Sequence, residues 1–145
     1  MTTAPEHSFE PLAFLPGSWG TDRHLLDRSS GAEGRFIGTT VFVPDDGGLL
    51  WEEQGTVVWP HFQGPASRSY RVTTEASGTM TVRFPDRRVL CTLDLRSGSA
   101  EDEHLCAPDT YRVALTVVSP TVVEYSWDVT GPAKDFLLTT VLTRR

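Results

Sequence analysis

Arg23, Glu53, Arg68, His104, Asp109 and Lys134 are the residues of this chain whose types could do chemistry, and each sits in a run of alternating apolar and polar residues. In an extended segment every second side chain points to the same face. When the apolar sets are taken to face inward, all six fall on the enclosed side. Glu53 and His104 are then candidate general acids or bases, and Arg68 can stabilise developing negative charge, which makes these three the candidate catalytic set. Arg23, Trp51, Tyr70, Asp109, Tyr111, Tyr125, Trp127 and Lys134 form the candidate ligand-binding set: the indoles hold a flat body and a guanidinium forks onto an acidic group. An enclosed charge without a partner costs several kcal/mol, so these groups must pair, stay wet or meet a charged ligand. Arg23 with Glu53 and Arg68 with Asp109 is one such internal network.

A second grouping involves sulfur. A hairpin centred on "SGSA" places Cys91 opposite Cys106 with His104 on the same face, a soft set that suits zinc or copper with an open position. No C-x-x-C or H-E-x-x-H spacing accompanies it, so no metal is assigned: Cys91 and Cys106 read first as small core residues and His104 as a satisfied core histidine, and a disulfide is also geometrically possible. The run "AEDE", residues 100–103, reads as a solvated loop tip. Lys134, the sole lysine, is expected to pair with Asp135 at the rim, a Schiff-base role being the lesser reading. Nucleophile elbow, phosphate loop and dinucleotide fingerprint are all lacking, so no cofactor is expected.

These side chains must be carried by strands. Thr, Val, Phe, Tyr and Trp recur with a period of two, and turn residues punctuate the chain every eight to twelve positions. Strands are expected near 19–28, 35–43, 49–58, 66–74, 79–84, 88–95, 103–115, 121–129 and 134–144, with a bulge at Pro108. "PLAFLPG", residues 11–17, is the one expected helical turn and would plug one end. The short connections favour an up-and-down meander closed on itself, because closure removes the exposed edges. The 145 residues suffice for a single domain spanning 1–145.

"FLPGSWG" opens the first strand, and an arginine lies near the end of the last. Gly17, Trp19 and Arg144 resemble the closure signature of lipocalin-like barrels, with the guanidinium lying on the indole. The ordered pieces "LPGSWGTDR", "GRFIGTTVF", "LLWEEQG", "SRSYRV", "EHLCAPDTY" and "WDVTGPAKD" are similar to the DUF6314 family of small bacterial proteins of unknown function. The chain departs from that pattern after "PDRR", where Leu90 and Cys91 stand in place of an aromatic residue and a histidine. The resemblance implies an all-β, antiparallel, up-and-down lipocalin-like barrel of about nine to ten strands with a short N-terminal helical plug, and it implies no established reaction.

A net charge of −6 disfavours nucleic acid or an anionic membrane as partner. The N-terminal "MTTAPEHSFEPLAF" lacks the basic and apolar regions of a secretory signal, so the cytoplasm is the expected compartment, with Cys91 and Cys106 as thiols. The expected partner is a small molecule, bound by a monomer or homodimer. Two function classes remain: an enzyme of specialised metabolism that folds a hydrophobic or aromatic substrate for cyclisation, isomerisation or proton transfer, and a non-catalytic carrier or sensor. The number of titratable groups expected inside favours the enzyme, since a carrier of apolar ligand needs fewer of them.

Overall fold

The computed structural model describes residues 9–145; residues 1–8 of the N-terminal stretch read above lie outside it. A short helix α1 (Pro11–Phe14) is followed by ten strands: β1 (Gly17–Asp27), β2 (Glu33–Asp45), β3 (Gly48–Trp59), β4 (Phe62–Thr73), β5 (Thr79–Arg83), β6 (Val89–Asp94), β7 (Ser99–Cys106), β8 (Asp109–Ser119), β9 (Val122–Thr130) and β10 (Asp135–Arg144). All ladders are antiparallel, in the order β6-β5-β4-β3-β2-β1-β10-β9-β8-β7. The result is a nearly closed barrel. No helix of the described residues is long and apolar enough to cross a membrane.

Two sequence expectations need correction here. The segment expected as one strand over 103–115 is a hairpin, β7 and β8, turning at Ala107 and Pro108, so the expected bulge at Pro108 is a chain reversal. "AEDE" is therefore no loop tip but part of β7. The alternation of charged and apolar residues across the turn continues in the same period, and this hides a reversal.

The first and last strands meet as expected. Trp19 is fully buried and registers with Arg144, whose guanidinium carbon lies 4.1 Å from the ring centroid. Arg144 also donates to the carbonyls of Phe14 at 2.6 Å and Pro16 at 3.2 Å, while the indole N–H of Trp19 donates to Leu15 O at 2.9 Å. Gly17 makes the entry with φ +126, a conformation that side chains rarely adopt. Around this seam Leu15, Leu49, Met80, Leu93, Leu95, Val123 and Leu142 are buried, and α1 packs Leu12 and Phe14 against them. That end of the lumen is solid core.

The other end is shaped by strand lengths. β4 runs for twelve residues but β5 for only five, and their ladder covers only Arg71, Val72 and Thr73. The outer part of β4 is thus an unpaired edge, the place where a sheet tolerates a residue such as Pro65. Gly38 and Gly55 face each other across β2 and β3, where an added Cβ would come within 2.1 Å and 2.2 Å of backbone carbonyl oxygens. Only glycine permits that approach, and the sheet curls there.

β6 and β7 carry no ladder between them although they pack side by side. The Asp102 carboxylate accepts the Thr92 amide at 2.7 Å, taking the hydrogen bond that a strand carbonyl would have taken. Replacing Trp19 by Ala is expected to cost about 3–5 kcal/mol as a large core truncation. Urea denaturation measures it, and a midpoint equal to that of the parent protein would contradict the role given to the Trp19–Arg144 seam.

Candidate functional site

Inside the barrel the strand register gathers one charged cluster. Arg23 faces Thr140 on one neighbour and Phe36 on the other, and Thr40, four residues beyond Phe36 on β2, faces Glu53. Arg23 donates through Nη1 to Glu53 Oε1 at 2.7 Å and through Nη2 to Oε2 at 2.5 Å, a fork-to-fork pair. Its Nε donates to Thr140 Oγ1 at 2.7 Å, Nη2 also donates to the Tyr125 hydroxyl at 2.9 Å, and the Phe36 ring lies 5.1 Å from the guanidinium carbon. Both charged side chains are at most 4% exposed. Burial opposes the Arg23 charge, but the Tyr125 and Glu53 oxygens outweigh it and raise its pKa above the ordinary arginine value. Burial pushes the Tyr125 phenol up to about 12, so it stays protonated.

The roles first expected for these residues therefore change. Glu53 is held by both oxygens, which leaves it poorly placed as a general base, and Arg23 and Tyr125 serve the pair instead of a ligand. Half of the expected internal network forms. Arg68, which registers opposite Glu53, leans over the pair with Nε 3.4 Å from Glu53 Oε1, and it does not reach Asp109 as its partner. Asp109 instead lies 3.4 Å from Lys134 Nζ. Asp135, expected to pair with Lys134, binds Arg28 at 2.7 Å. Lys134 also donates to the Tyr111 hydroxyl at 3.2 Å, and its hydrogen bonds to Tyr111 and Asp109 raise its pKa. An amine held in the charged form is a poor Schiff-base nucleophile.

Above the ion pair, toward the open end, lies a cavity of about 170 Å³ lined by Arg68, Tyr70, Phe84, Leu90, His104, Cys106, Tyr111, Trp127, Val129 and Leu138. Its aromatic members run as a collar with successive centroid separations of 6.4 Å (Tyr70–Phe84), 6.2 Å (Phe84–His104), 6.1 Å (His104–Tyr111) and 6.4 Å (Tyr111–Trp127). The Phe84–His104 step crosses the open seam between β6 and β7. Arg68 is 43% exposed, because the short β5 leaves its stretch of β4 uncovered. Below the collar a void of about 10 Å³, room for about one water, is lined by Trp51, Arg68, Tyr70, Cys91, Tyr125, Trp127 and aliphatic neighbours.

Arg68, Tyr70, Trp51, Tyr111, Tyr125, Trp127 and His104 thus line the cavities, while Arg23 and Glu53 lie beneath them. Phe84 and Leu90 were missed among the site residues, although Phe84 falls on the enclosed face of the alternation. The supposed sulfur cluster does not assemble. The turn before β7 closes with Gly98 N donating to Leu95 O, earlier than a hairpin centred on "SGSA", and this brings Asp102 to Cys91 in place of Cys106. Cys91 is buried and Cys106 exposed, both as free thiols, and no group of three metal-ligating side chains occurs among the described residues.

Known proteins place this geometry as follows. The model of a family described as a family of unknown function, DUF6314, matches residues 15–144. A redesigned β-barrel, mFAP1, solved bound to DFHBI, is 18% identical, covers 94% of this chain and 100% of its own, and superposes with a TM-score of 0.51. An S-type phycobiliprotein lyase from Guillardia theta is 8% identical over 92% of this chain and 90% of its own, with a TM-score of 0.61. A DUF3598-family protein of unknown function from Nostoc punctiforme is 10% identical with a TM-score of 0.65, covering 97% of this chain but 51% of its own. At these identities the likeness shows the fold alone. No curated protein matches.

The ion pair gives a direct test of its role. Glu53→Gln leaves the buried Arg23 charge uncompensated and is expected to cost about 3–5 kcal/mol, whereas replacing Arg23 and Glu53 together by Met should cost much less. Denaturant titration of the two variants checks it; equal losses would show that the pair itself, and not the stranded charge, carries the stability.

Proposed function

We propose that this chain, which belongs to the DUF6314 family, is a small-molecule-binding barrel that takes a flat, largely apolar ligand into the mouth pocket between Arg68 and the aromatic collar. The observation that carries this reading is the pocket itself. Its volume of about 170 Å³ matches a cavity able to admit a single aromatic ring, for which about 150 Å³ suffices. Its wall is apolar and aromatic with few polar groups, the usual make-up of a ligand site. Two of the structural neighbours are a barrel bound to DFHBI and a phycobiliprotein lyase, which supports the reading at the level of fold analogy.

A second reading, catalysis, is favoured by one observation: His104 and Arg68 line the same pocket. A bound substrate with an acidic C–H could lose its proton to His104 while Arg68 stabilises the resulting enolate, the elementary step of an isomerisation or of a cyclisation through a carbanion. Glu53 takes no part in such a step, since Arg23 already holds both of its oxygens.

The two thiols provide the test. Cys106 is exposed at the mouth, while Cys91 is buried and burial pushes its thiol up to about 12, so an alkylating agent in solution reaches Cys106 and not Cys91. N-ethylmaleimide is expected to modify one thiol in the folded protein and two after denaturation, as counted by mass spectrometry. The singly modified protein should lose the saturable quenching of tryptophan fluorescence that small aromatic compounds produce in the unmodified protein. Unchanged quenching after modification of Cys106 would refute the pocket as the binding site.

A further inference from the structure

The polar groups around the inner end of the mouth pocket are nearly all donors. Trp51 lines the inner void, and its Nε1–H is buried with no hydrogen-bond partner among the described residues. Tyr70 registers directly opposite Trp51, and its hydroxyl oxygen accepts from Arg68 Nη1 at 3.2 Å, so its own hydrogen remains free to donate. Arg68 carries five N–H groups, of which Tyr70 and the distant Glu53 edge occupy only part. Glu53 is the one carboxylate in contact with Arg68 among the described residues, and both of its oxygens already bind Arg23.

Charge counting gives the same answer. Arg23, Glu53 and Arg68 together are two guanidinium groups against one carboxylate, and Asp109 at the rim is matched to Lys134. Arg68 is thus the surplus cation. In the empty barrel water solvates its 43% exposed side chain. A ligand that covers it must replace that water with acceptors, or the guanidinium is left desolvated and unmatched.

We infer that the pocket selects flat molecules bearing one anionic oxygen group, a carboxylate or a phenolate, which enters first and is received by Arg68, the Tyr70 hydroxyl and the Trp51 N–H, while the apolar body rests in the collar. This deepens the proposed function and rests on it. A neutral carboxamide of the same shape is disfavoured twice, because it leaves the surplus cation uncompensated and turns an NH₂ group toward donors.

Calorimetric titration with benzoate and benzamide, a single-ring pair of nearly equal shape, tests the inference. The benzoate is expected to bind at least about tenfold tighter, as a charge-assisted fork requires. Arg68→Gln, at an exposed position, should bring the two affinities together by weakening the acid alone, and Trp51→Phe, which also lowers the melting temperature as a core truncation, should weaken the acid several-fold more than the amide. Equal affinities in the parent protein, with both compounds excluded by alkylation of Cys106, would overturn the anion preference and leave the pocket standing. Binding insensitive to that alkylation, or no saturable binding of either compound, would overturn the pocket reading and this inference with it.

Discussion

One guanidinium and one carboxylate enclosed between β1 and β3 organise the interior of this barrel. Arg23 registers with Phe36 and Glu53 with Thr40, four residues apart on β2, so the pair meets diagonally over that strand, where the intervening same-face residue is Gly38, and spans three strands. Thr140 and Tyr125 add the opposite wall. A buried pair of this kind adds little net stability, because desolvation offsets the attraction, but breaking it is expensive. Its effect is therefore to fix arrangement. A slip of β1 or β3 by one residue would turn one charge outward and leave the other alone in the core. Below the pair the lumen is filled by Trp19, Leu49, Met80 and Leu142; above it lies the open pocket.

The same pair determines which polar group is left to act. Glu53 and Arg68 are direct cross-strand partners, and such a pair would ordinarily satisfy each other. Arg23 approaches from the other side and takes both oxygens, so Arg68 keeps only a contact at 3.4 Å. The short β5 then leaves Arg68 in water. The surplus charge thus follows from register and strand length together, and neither alone would produce it.

The face on which each residue sits was legible in the sequence, since period-two alternation alone put Trp51, Tyr70, Tyr111, Trp127, Arg68 and His104 on the enclosed side. Depth was not legible. Arg23 and Arg68 read alike in sequence, yet one is sealed in the core and the other half exposed, because depth depends on how far β5 and β6 extend along β4. Pairing partners also escaped: Asp109 meets Lys134 and not Arg68, since the β7–β8 reversal at Ala107 and Pro108 moves Asp109 to the rim beside the turn between β9 and β10 that carries Lys134. The sulfur grouping failed for a related reason. A turn that closes a few residues early shifts every pair beyond it, and composition does not say where among "RSGS" the chain turns.

The seam between β6 and β7 adjoins the mouth pocket. Every other neighbouring pair of strands shares a ladder, whereas here one Asp102 carboxylate and side-chain packing hold the edges together. Leu90 on β6 and His104 on β7 both line the mouth, and Phe84 meets His104 across the gap. On the proposed function, a molecule seated in the collar would rest on both sides of the seam at once, so binding and closure would draw on the same free energy. The weakest join in the sheet and the pocket adjoin because both arise where β5, β6 and β7 are too short to continue the wall that β1 to β4 begin.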